Sequence, residues 1–306
     1  AWTATNGDTT FDAVVSPVVS GSVADKAQTA VVTDLNADSA NVTETVTYTK
    51  VGSLVPSSSD GHFPRVPTVV YPNDPSDATK VTPAGVPTVP GYTAHDPEGH
   101  VLTPGSSYQP SDATKDTTIT YTADNQTGSV SYVDDTTGKT LKTDSISGTT
   151  GSKSSYSTSG NIADYKKHGY ELVTDGYPAD LTFDNNDTTD QNFTVHLKHQ
   201  LTPVNPTDPQ TPGAPINPDE PNGPKWPIST NYDKTVNETV RYVDQHGHVV
   251  AKPHTDSVNF TRTVVVDNVT GEVITSGAGT TAWTATNGDT TFDAVVSPVV
   301  SGSVAD

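Results

Sequence analysis

The sequence predicts a mainly β protein of tandem small β-rich modules, strung as elongated beads. At least one module reads as β-grasp-like, with four or so strands and one short helix. Three observations predict this. Hydrophobic residues make up only 31% of the 306, well below the roughly 45–50% of an ordinary globular domain, which argues against one large core. Short runs rich in Val and Thr alternate with Pro, Gly, Asn and Asp, so strands alternate with turns. Finally, residues 1–25 recur unchanged at 282–306, and fixed-period repetition marks an array of self-contained units.

Taken in order, residues 1–50 carry strand-like runs at 28–33 and 42–50 and read as the C-terminal part of a module. Residues 51–123 form a Pro-rich, loop-rich β module with strands expected at 67–71 and 117–122. Prolines at that density leave only edge strands and extended chain. Pro-Ser-Asp-Ala-Thr-Lys occurs here twice, at 75–80 and 110–115.

Residues 124–199 look most like a folded domain. An alternating run at 128–133, a turn at 134–138 and a second run at 139–143 predict a hairpin. A helix is expected over 161–168, capped by Ser159 or Asn161 and stopped by Gly169. Lys166, Lys167 and His168 fall in its last turn, where cations suit the helix dipole. Strands are expected at 170–174 and 191–198.

From Pro203 to Pro227 every third residue is proline. Polyproline II has three residues per turn, so 200–231 reads as a polyproline spacer of about 75–80 Å, holding its neighbours apart. A flexible disordered spacer is the competing reading, and docking of the PxxP pattern in an aromatic groove is a further one. Residues 232–306 then open another module, with strands at 236–243, 258–266, 270–275 and 292–296. Joined to the counterpart of 1–50, this module reaches a sensible size, so the repeat reads as split between the two ends of the chain.

Charge and composition exclude several function classes. Sixteen basic against 36 acidic residues give a net charge of −20. An evenly acidic surface repels phosphate backbones, which excludes nucleic acid as a partner. No apolar stretch approaches the ~20 residues needed to span a bilayer, so no direct membrane insertion is expected. With no Cys, neither disulfides nor thiolate–zinc sites hold the modules.

No catalytic constellation is found: there is no Gly-x-Ser-x-Gly elbow, and the nine His sit mainly beside turns or chain ends. The chain reads as a non-enzyme with no required cofactor. His246, His248 and His254 are weighed as a metal set against a plain exposed hairpin. Asp184, Asn186, Asp187 and Asp190 form the densest group of hard oxygen donors and are the candidate Ca²⁺ ligands, since calcium takes six to eight oxygens. The EF-hand spacing is absent there, and a turn capped by its own Asx side chains competes with it. Trp2 and Trp283, one repeat position, read with Phe11 and Phe292 as core anchors. Tyr156, Tyr165, Lys166, Lys167, His168, Tyr170 and Tyr177 cluster within 22 residues. Stacking and cation contacts to an acidic sugar can use such a surface, although half or more of these tyrosines are expected to be structural.

Three stretches of this region, GSVSYVDDTTGKTL (128–141), ADYKKHGYELVTDGYP (163–178) and TFDNNDTTDQNFTVHLKH (182–199), resemble the mucin-binding domains of lactic-acid-bacterial mucus-binding proteins. VNETVRYVDQHG (236–247), VNFTRTVVVDNVTGEV (258–273) and FDAVVSPVVSGSVAD (292–306), followed by VTETVTYTK (42–50), resemble a further module of the same Mub-type repeats. The resemblance implies a cell-wall-anchored extracellular adhesin whose β-grasp-like modules bind host mucin glycoproteins, with immunoglobulins as partners of some members and neighbouring repeats alongside. It brings no site motif. No Leu-Pro-x-Thr-Gly sorting signal is present, so anchoring is expected from sequence outside this segment. The rival reading is a passive extracellular stalk that presents another binding domain.

Overall fold

The computed structural model describes all residues, 1–306. The strands are β1 Ser22–Ala24, β2 Tyr48–Lys50, β3 Ser53–Ser57, β4 Val69–Val70, β5 Ala84–Gly85, β6 Tyr92–His95, β7 Val101–Leu102, β8 Ser107–Tyr108, β9 Thr117–Ala123, β10 Asn125–Asp134 and β11 Lys139–Thr149. A helix, α1 Ser159–Lys167, follows. Then come β12 Tyr170–Asp175, β13 Gln191–His199, β14 Leu201–Val204, β15 Asp233–Val243, β16 Val249–Thr261, β17 Val264–Asp267, β18 Val273–Ile274 and β19 Thr284–Ala285. Mainly β architecture with one short helix is thus observed.

Two compact units divide the chain. The first comprises 1–129, 145–155 and 180–191, and the second 130–144, 156–179 and 192–306.

In the first unit the main sheet runs β4-β3-β9-β6-β7. Strand β9 alternates strictly, and its inward residues Ile119 and Tyr121 meet Leu54, Tyr71, Ala84 and Val86 in the core. Pro56 lies in β3, an inner strand, yet β4 pairs only with Ser53 and Leu54. At Pro56 the strand therefore has a free side, which is where a residue without an N–H is tolerated. The duplicated Pro-Ser-Asp-Ala-Thr-Lys makes the same turn twice. Asp77 Oδ1 accepts from Thr79 N and Oγ1 at 2.9 and 2.7 Å, and Asp112 Oδ1 accepts from Thr114 at the same distances. Short Asx side chains mimic a backbone turn in this way. Of the expected runs at 28–33 and 42–50, only 48–50 is a strand, pairing with β1. Residues 28 and 32 make single bridges to Val15 and Phe11.

The sheet β11-β10-β13-β12 has strand order 2-1-4-3 in a ββαββ chain, which is β-grasp-like. Strand β10 buries alternate residues, among them Gln126, Val130, Tyr132 and Asp134. The helix starts two residues earlier than its sequence signals suggest, after Thr158, whose hydroxyl donates to Asp175 at 2.6 Å. Gly169 follows its C-terminus at φ +93°.

In the second unit, the hairpin β15–β16 shifts register between Val240 and Tyr242. Pro253 stands opposite this irregularity, where no ladder donor is required. The expected run at 258–266 is broken into β16 and β17, and 292–296 forms no strand.

The polyproline spacer expected over 200–231 is corrected by the structure. Strand β14, with Pro203 in it, pairs antiparallel with β17. It is the edge of its sheet, so the missing N–H costs nothing. Further on the chain doubles back: Trp226 N donates to Ala214 O at 2.9 Å, Gly213 N to Trp226 O at 3.1 Å and Ile216 N to Pro224 O at 2.8 Å. The residues between the prolines supply the donors. Ile216 and Trp226 supply the driving force, packing on buried Val204, Tyr232, Val264 and Val266. Nor are 124–199 and 232–306 held apart, because Gln200 N donates to Gly169 O and Asn268 N to Gln200 O at 2.8 and 2.9 Å.

Candidate functional site

In the second unit the end of α1 meets the doubled-back Pro-rich loop around a cleft of about 320 Å³. That is the low end of small-ligand sites. Asp164, Tyr165, Lys167, His168 and Tyr170 line one side, Ile216, Asn217, Glu220 and Pro224 another, and Asn268 and Val269 complete it.

Local turn chemistry positions each wall. Gly169 takes the left-handed conformation that ends the helix, and a Cβ there would stand 2.4 Å from the Asn268 carbonyl carbon. Only glycine allows this approach, which brings the 268–269 turn against the helix end. On the opposite wall Asn217 accepts from Asp219 N at 3.1 Å through its side chain and from Glu220 N at 3.0 Å through its carbonyl. Lys225 Nζ then donates to the Pro221 carbonyl at 2.6 Å. Proline keeps its acceptor although it lacks a donor.

The resulting turn aims Glu220 at His168. His168 Nδ1 donates to the Asp164 carbonyl at 2.7 Å and Nε2 lies 2.6 Å from Glu220 Oε1. The backbone carbonyl of Asp164, then the charges of Glu220 and Asp164, raise the imidazole above its ordinary value of 6.5 against the opposing effect of burial. Burial raises the phenols of Tyr165 and Tyr170, so both remain neutral hydroxyls. Their rings belong to an aromatic series: Tyr132 to Tyr165 at 5.7 Å, Tyr165 to Tyr170 at 5.5 Å and Tyr170 to His199 at 5.3 Å. The cleft thus offers two tyrosine side chains, an ammonium and an imidazole held by a carboxylate. Such a set recognises a polyol by stacking and hydrogen bonding, and an anionic substituent through Lys167.

Of the seven residues expected to bind a sugar, the structure brings Tyr165, Lys167, His168 and Tyr170 together in the cleft. Lys166 is exposed on the helix beside it, outside the lining. Tyr156 and Tyr177 stand apart, edge to face at 5.3 Å, with Phe193 5.5 Å beyond. The Tyr156 hydroxyl donates to Asp144 at 2.7 Å and lies 2.6 Å from the Tyr132 hydroxyl. Burial, with those two neighbours, pushes its pKa up. These two tyrosines hold the domain together. Asn217, Glu220 and Asn268 escaped the sequence reading. The Asn-Pro-Asp and Asn-Gly pairs within 217–223 were the available signal, since both mark turns.

One side-chain oxygen of each candidate calcium ligand accepts a hydrogen bond within the protein. Asp184 Oδ1 accepts from Asn186 N at 3.1 Å, and Asn186 Oδ1 from Thr188 N and Oγ1 at 3.1 and 2.9 Å. Asp187 Oδ1 accepts from Gln126 Nε2 and Asp190 Oδ1 from Thr127 Oγ1, both at 2.6 Å. A turn capped by its own side chains describes this loop. Asp96, Glu98 and His100 lie close enough to share an ion, but they too form a hairpin turn, with Asp96 Oδ1 accepting from Glu98 N and His100 N at 3.0 and 2.8 Å. His246 and His248 sit at the β15–β16 tip with ring centroids 6.2 Å apart.

Trp2 is 89% exposed and Phe11 54%, which corrects their reading as core anchors. Trp283 is half-buried instead, beneath the Arg262 guanidinium at 4.4 Å and the Lys234 ammonium at 5.3 Å.

Comparison with known proteins finds matches to parts of the chain. A family model described as a mucin-binding domain matches residues 126–199. A second, described as a Muc B2-like domain, matches 1–52 and 228–306. Among solved structures, the chain is similar to the type 2 repeat of the mucus binding protein MUB from Lactobacillus reuteri, at 33% identity over 58% of this chain and 84% of that one, with a TM-score of 0.39. It is also similar to a structure described as Mub-RV, at 34% identity over 58% of this chain and 83% of that one, with a TM-score of 0.42. No curated protein sequence matches the chain. The two matching families are described by mucin binding and domain type, not by an enzymatic reaction.

Proposed function

We propose, from the premise that the chain belongs to the Mub-type repeats of bacterial mucus-binding proteins, that it is an adhesive repeat whose ligand is the glycan of host mucin. The cleft at the end of α1 is the site. The observation that carries this reading is the convergence of Tyr165, Tyr170, Lys167 and His168 in one 320 Å³ cleft within the stretch matched by the mucin-binding model. At a net charge of −20, long-range attraction to sialylated or sulfated chains is unavailable, so recognition is by short-range contact. A single cleft of this size gives weak binding, and repetition raises it through avidity.

The setting is extracellular, at the bacterial surface, with attachment to the cell wall supplied outside these residues. No helix is long and apolar enough to cross a membrane. Immunoglobulins, themselves glycoproteins, are a second class of partner through the same cleft. The experiment is retention of the chain on immobilised mucin, before and after enzymatic removal of its glycans, with immunoglobulin as competitor. Retention that survives deglycosylation unchanged overturns a glycan ligand. Failure of immunoglobulin to compete removes it from the shared site.

A further inference from the structure

Lys142, Asp144 and Asn161 form a closed triangle in the second unit, outside the lining of the cleft. Lys142 and Asp144 alternate along β11, so their side chains leave the same face of the strand. Asn161 stands in the first turn of α1. Lys142 Nζ donates to Asn161 Oδ1 at 3.0 Å and lies 3.4 Å from Asp144 Oδ1. The other carboxylate oxygen, Asp144 Oδ2, accepts from Asn161 Nδ2 at 3.1 Å. Charge fixes the orientation of the amide, since an ammonium can meet only its oxygen and a carboxylate only its nitrogen.

Two tyrosines hold the triangle in place. Tyr156 Oη donates to Asp144 Oδ2 at 2.7 Å, and the Oη of buried Tyr132 accepts from Asn161 Nδ2 at 3.1 Å. Burial acts to raise the Asp144 carboxyl, but the hydrogen bonds from Tyr156 and Lys142 leave it below 3.8, in its basic form. An amine, an amide carbonyl and a carboxylate that touches both nitrogens are thus in mutual contact. No contact of the cleft uses them.

We propose that Lys142 and Asn161 join in an intramolecular amide cross-link, a single self-modification of the chain. Asp144 Oδ1 takes a proton from Nζ, which frees the nitrogen lone pair. That pair adds to Asn161 Cγ, the carbon bonded to the oxygen that Nζ already meets, and the C=O pair moves onto Oδ1. The C=O bond then re-forms while the Cγ–Nδ2 bond breaks, and Asp144 hands protons on to the leaving nitrogen. In all, Nζ loses two protons, Nδ2 gains two, ammonium is released and Asp144 is again a carboxylate. The step needs no oxidant or co-reactant. Groups held in contact react as if at very high concentration, and a carboxylate is a suitable proton carrier between two nitrogens. Lysine amines are established nucleophiles toward carbonyl carbon. The bond would fasten β11, an edge strand of its sheet, to the helix.

The test is mass spectrometry of the intact full chain, purified and held in mildly alkaline buffer, followed by tryptic mapping. The proposal expects most molecules to be lighter than their sequence by one ammonia. Trypsin should no longer cut after Lys142, and fragmentation should show the peptides holding Lys142 and Asn161 joined. Lys142→Arg keeps the positive charge at this exposed position and should leave the full sequence mass. Its melting temperature should also be lower, because a cross-link narrows the unfolded ensemble. Asp144→Asn should reduce the linked fraction at least tenfold and Asp144→Glu should restore it, with circular dichroism confirming that each chain is folded. A wild-type chain of full sequence mass overturns the proposal. So does an ammonia loss confined to the Asn161 peptide with Lys142 still cleaved, which marks a cyclic imide with the asparagine's own backbone. Undiminished linkage in a folded Asp144→Asn chain overturns the role given to the carboxylate.

Discussion

His199 donates Nδ1–H to Asp267 Oδ2 at 2.7 Å, fastening the last residue of β13 to the last residue of β17. Its Nε2–H donates to Asp134 Oδ2, also at 2.7 Å. Both nitrogens can donate only when the ring is protonated. Burial disfavours that charge, but the hydrogen bonds to Asp267 and Asp134 outweigh burial and raise the pKa above 6.5. The two carboxylates are placed alike: Asp134 accepts from Thr136 N at 2.9 Å and Asp267 from Val269 N at 2.9 Å. Two Asp-x-x-Thr-Gly turns thus grip one imidazole.

The first prediction is that Asp267→Asn destabilises the second unit. Removing one member of a buried charge group strands the others, at a cost of about 3 kcal/mol. Urea unfolding followed by tyrosine fluorescence measures this. A loss under about 0.5 kcal/mol would count against the clasp.

The second concerns pH. A raised histidine pKa contributes stability that is whole below 6.5 and is lost as pH rises through the folded-state value. For Asp134, burial acts to raise the pKa, but the bonds from Thr137 and His199 leave it below 3.8. Its contribution is present above 3.8 and is lost as pH falls through the lowered value. Stability should therefore be greatest between these limits, and His199→Gln should flatten the alkaline limb. Melting temperature against pH for the two chains checks it.

The third concerns Gly169. Alanine there meets both a positive φ and the Asn268 carbonyl at 2.4 Å, so Gly169→Ala should cost about 2 kcal/mol or more. Gly160→Ala is the comparison, since nothing lies within 4 Å of a Cβ at that helical position. It should be neutral or slightly stabilising. Thermal unfolding of the two variants decides.

The fourth concerns calcium. With the Asp187 and Asp190 oxygens holding Gln126 and Thr127, a chelator should leave the melting temperature unchanged. A fall reversed by calcium would restore the loop as a cation site.

Much of the fold could be read from the sequence where the signal is local. The β10–β11 hairpin announces itself by alternation and Asp134–Gly138, and the helix stop by Lys-Lys-His-Gly. Half of the cleft was legible for the same reason, since Tyr165, Lys167, His168 and Tyr170 are neighbours in the chain. Its other half was not. Glu220 and Asn268 come from remote turns, and the three-residue proline period masked the apolar anchors Ile216 and Trp226 that fold the loop back. Tyr156 and Tyr177 look like Tyr165 and Tyr170 in the sequence. Only their partners Asp144 and Phe193 reveal that they are committed elsewhere.

Mucin binding by the cleft is tested most directly by comparing full chains that carry Lys167→Glu with Tyr170→Ala, Lys153→Glu, or no change. Lys153→Glu makes the same charge change at an exposed position outside the cleft lining. Dissociation constants for one mucin preparation are measured by surface plasmon resonance, with circular dichroism confirming that each chain is folded. Loss of a cation contact and a stacking ring should weaken the double variant by about 2 kcal/mol, roughly thirtyfold, and leave Lys153→Glu within about twofold of the unchanged chain. A folded double variant that binds mucin as tightly as the unchanged chain would contradict the account.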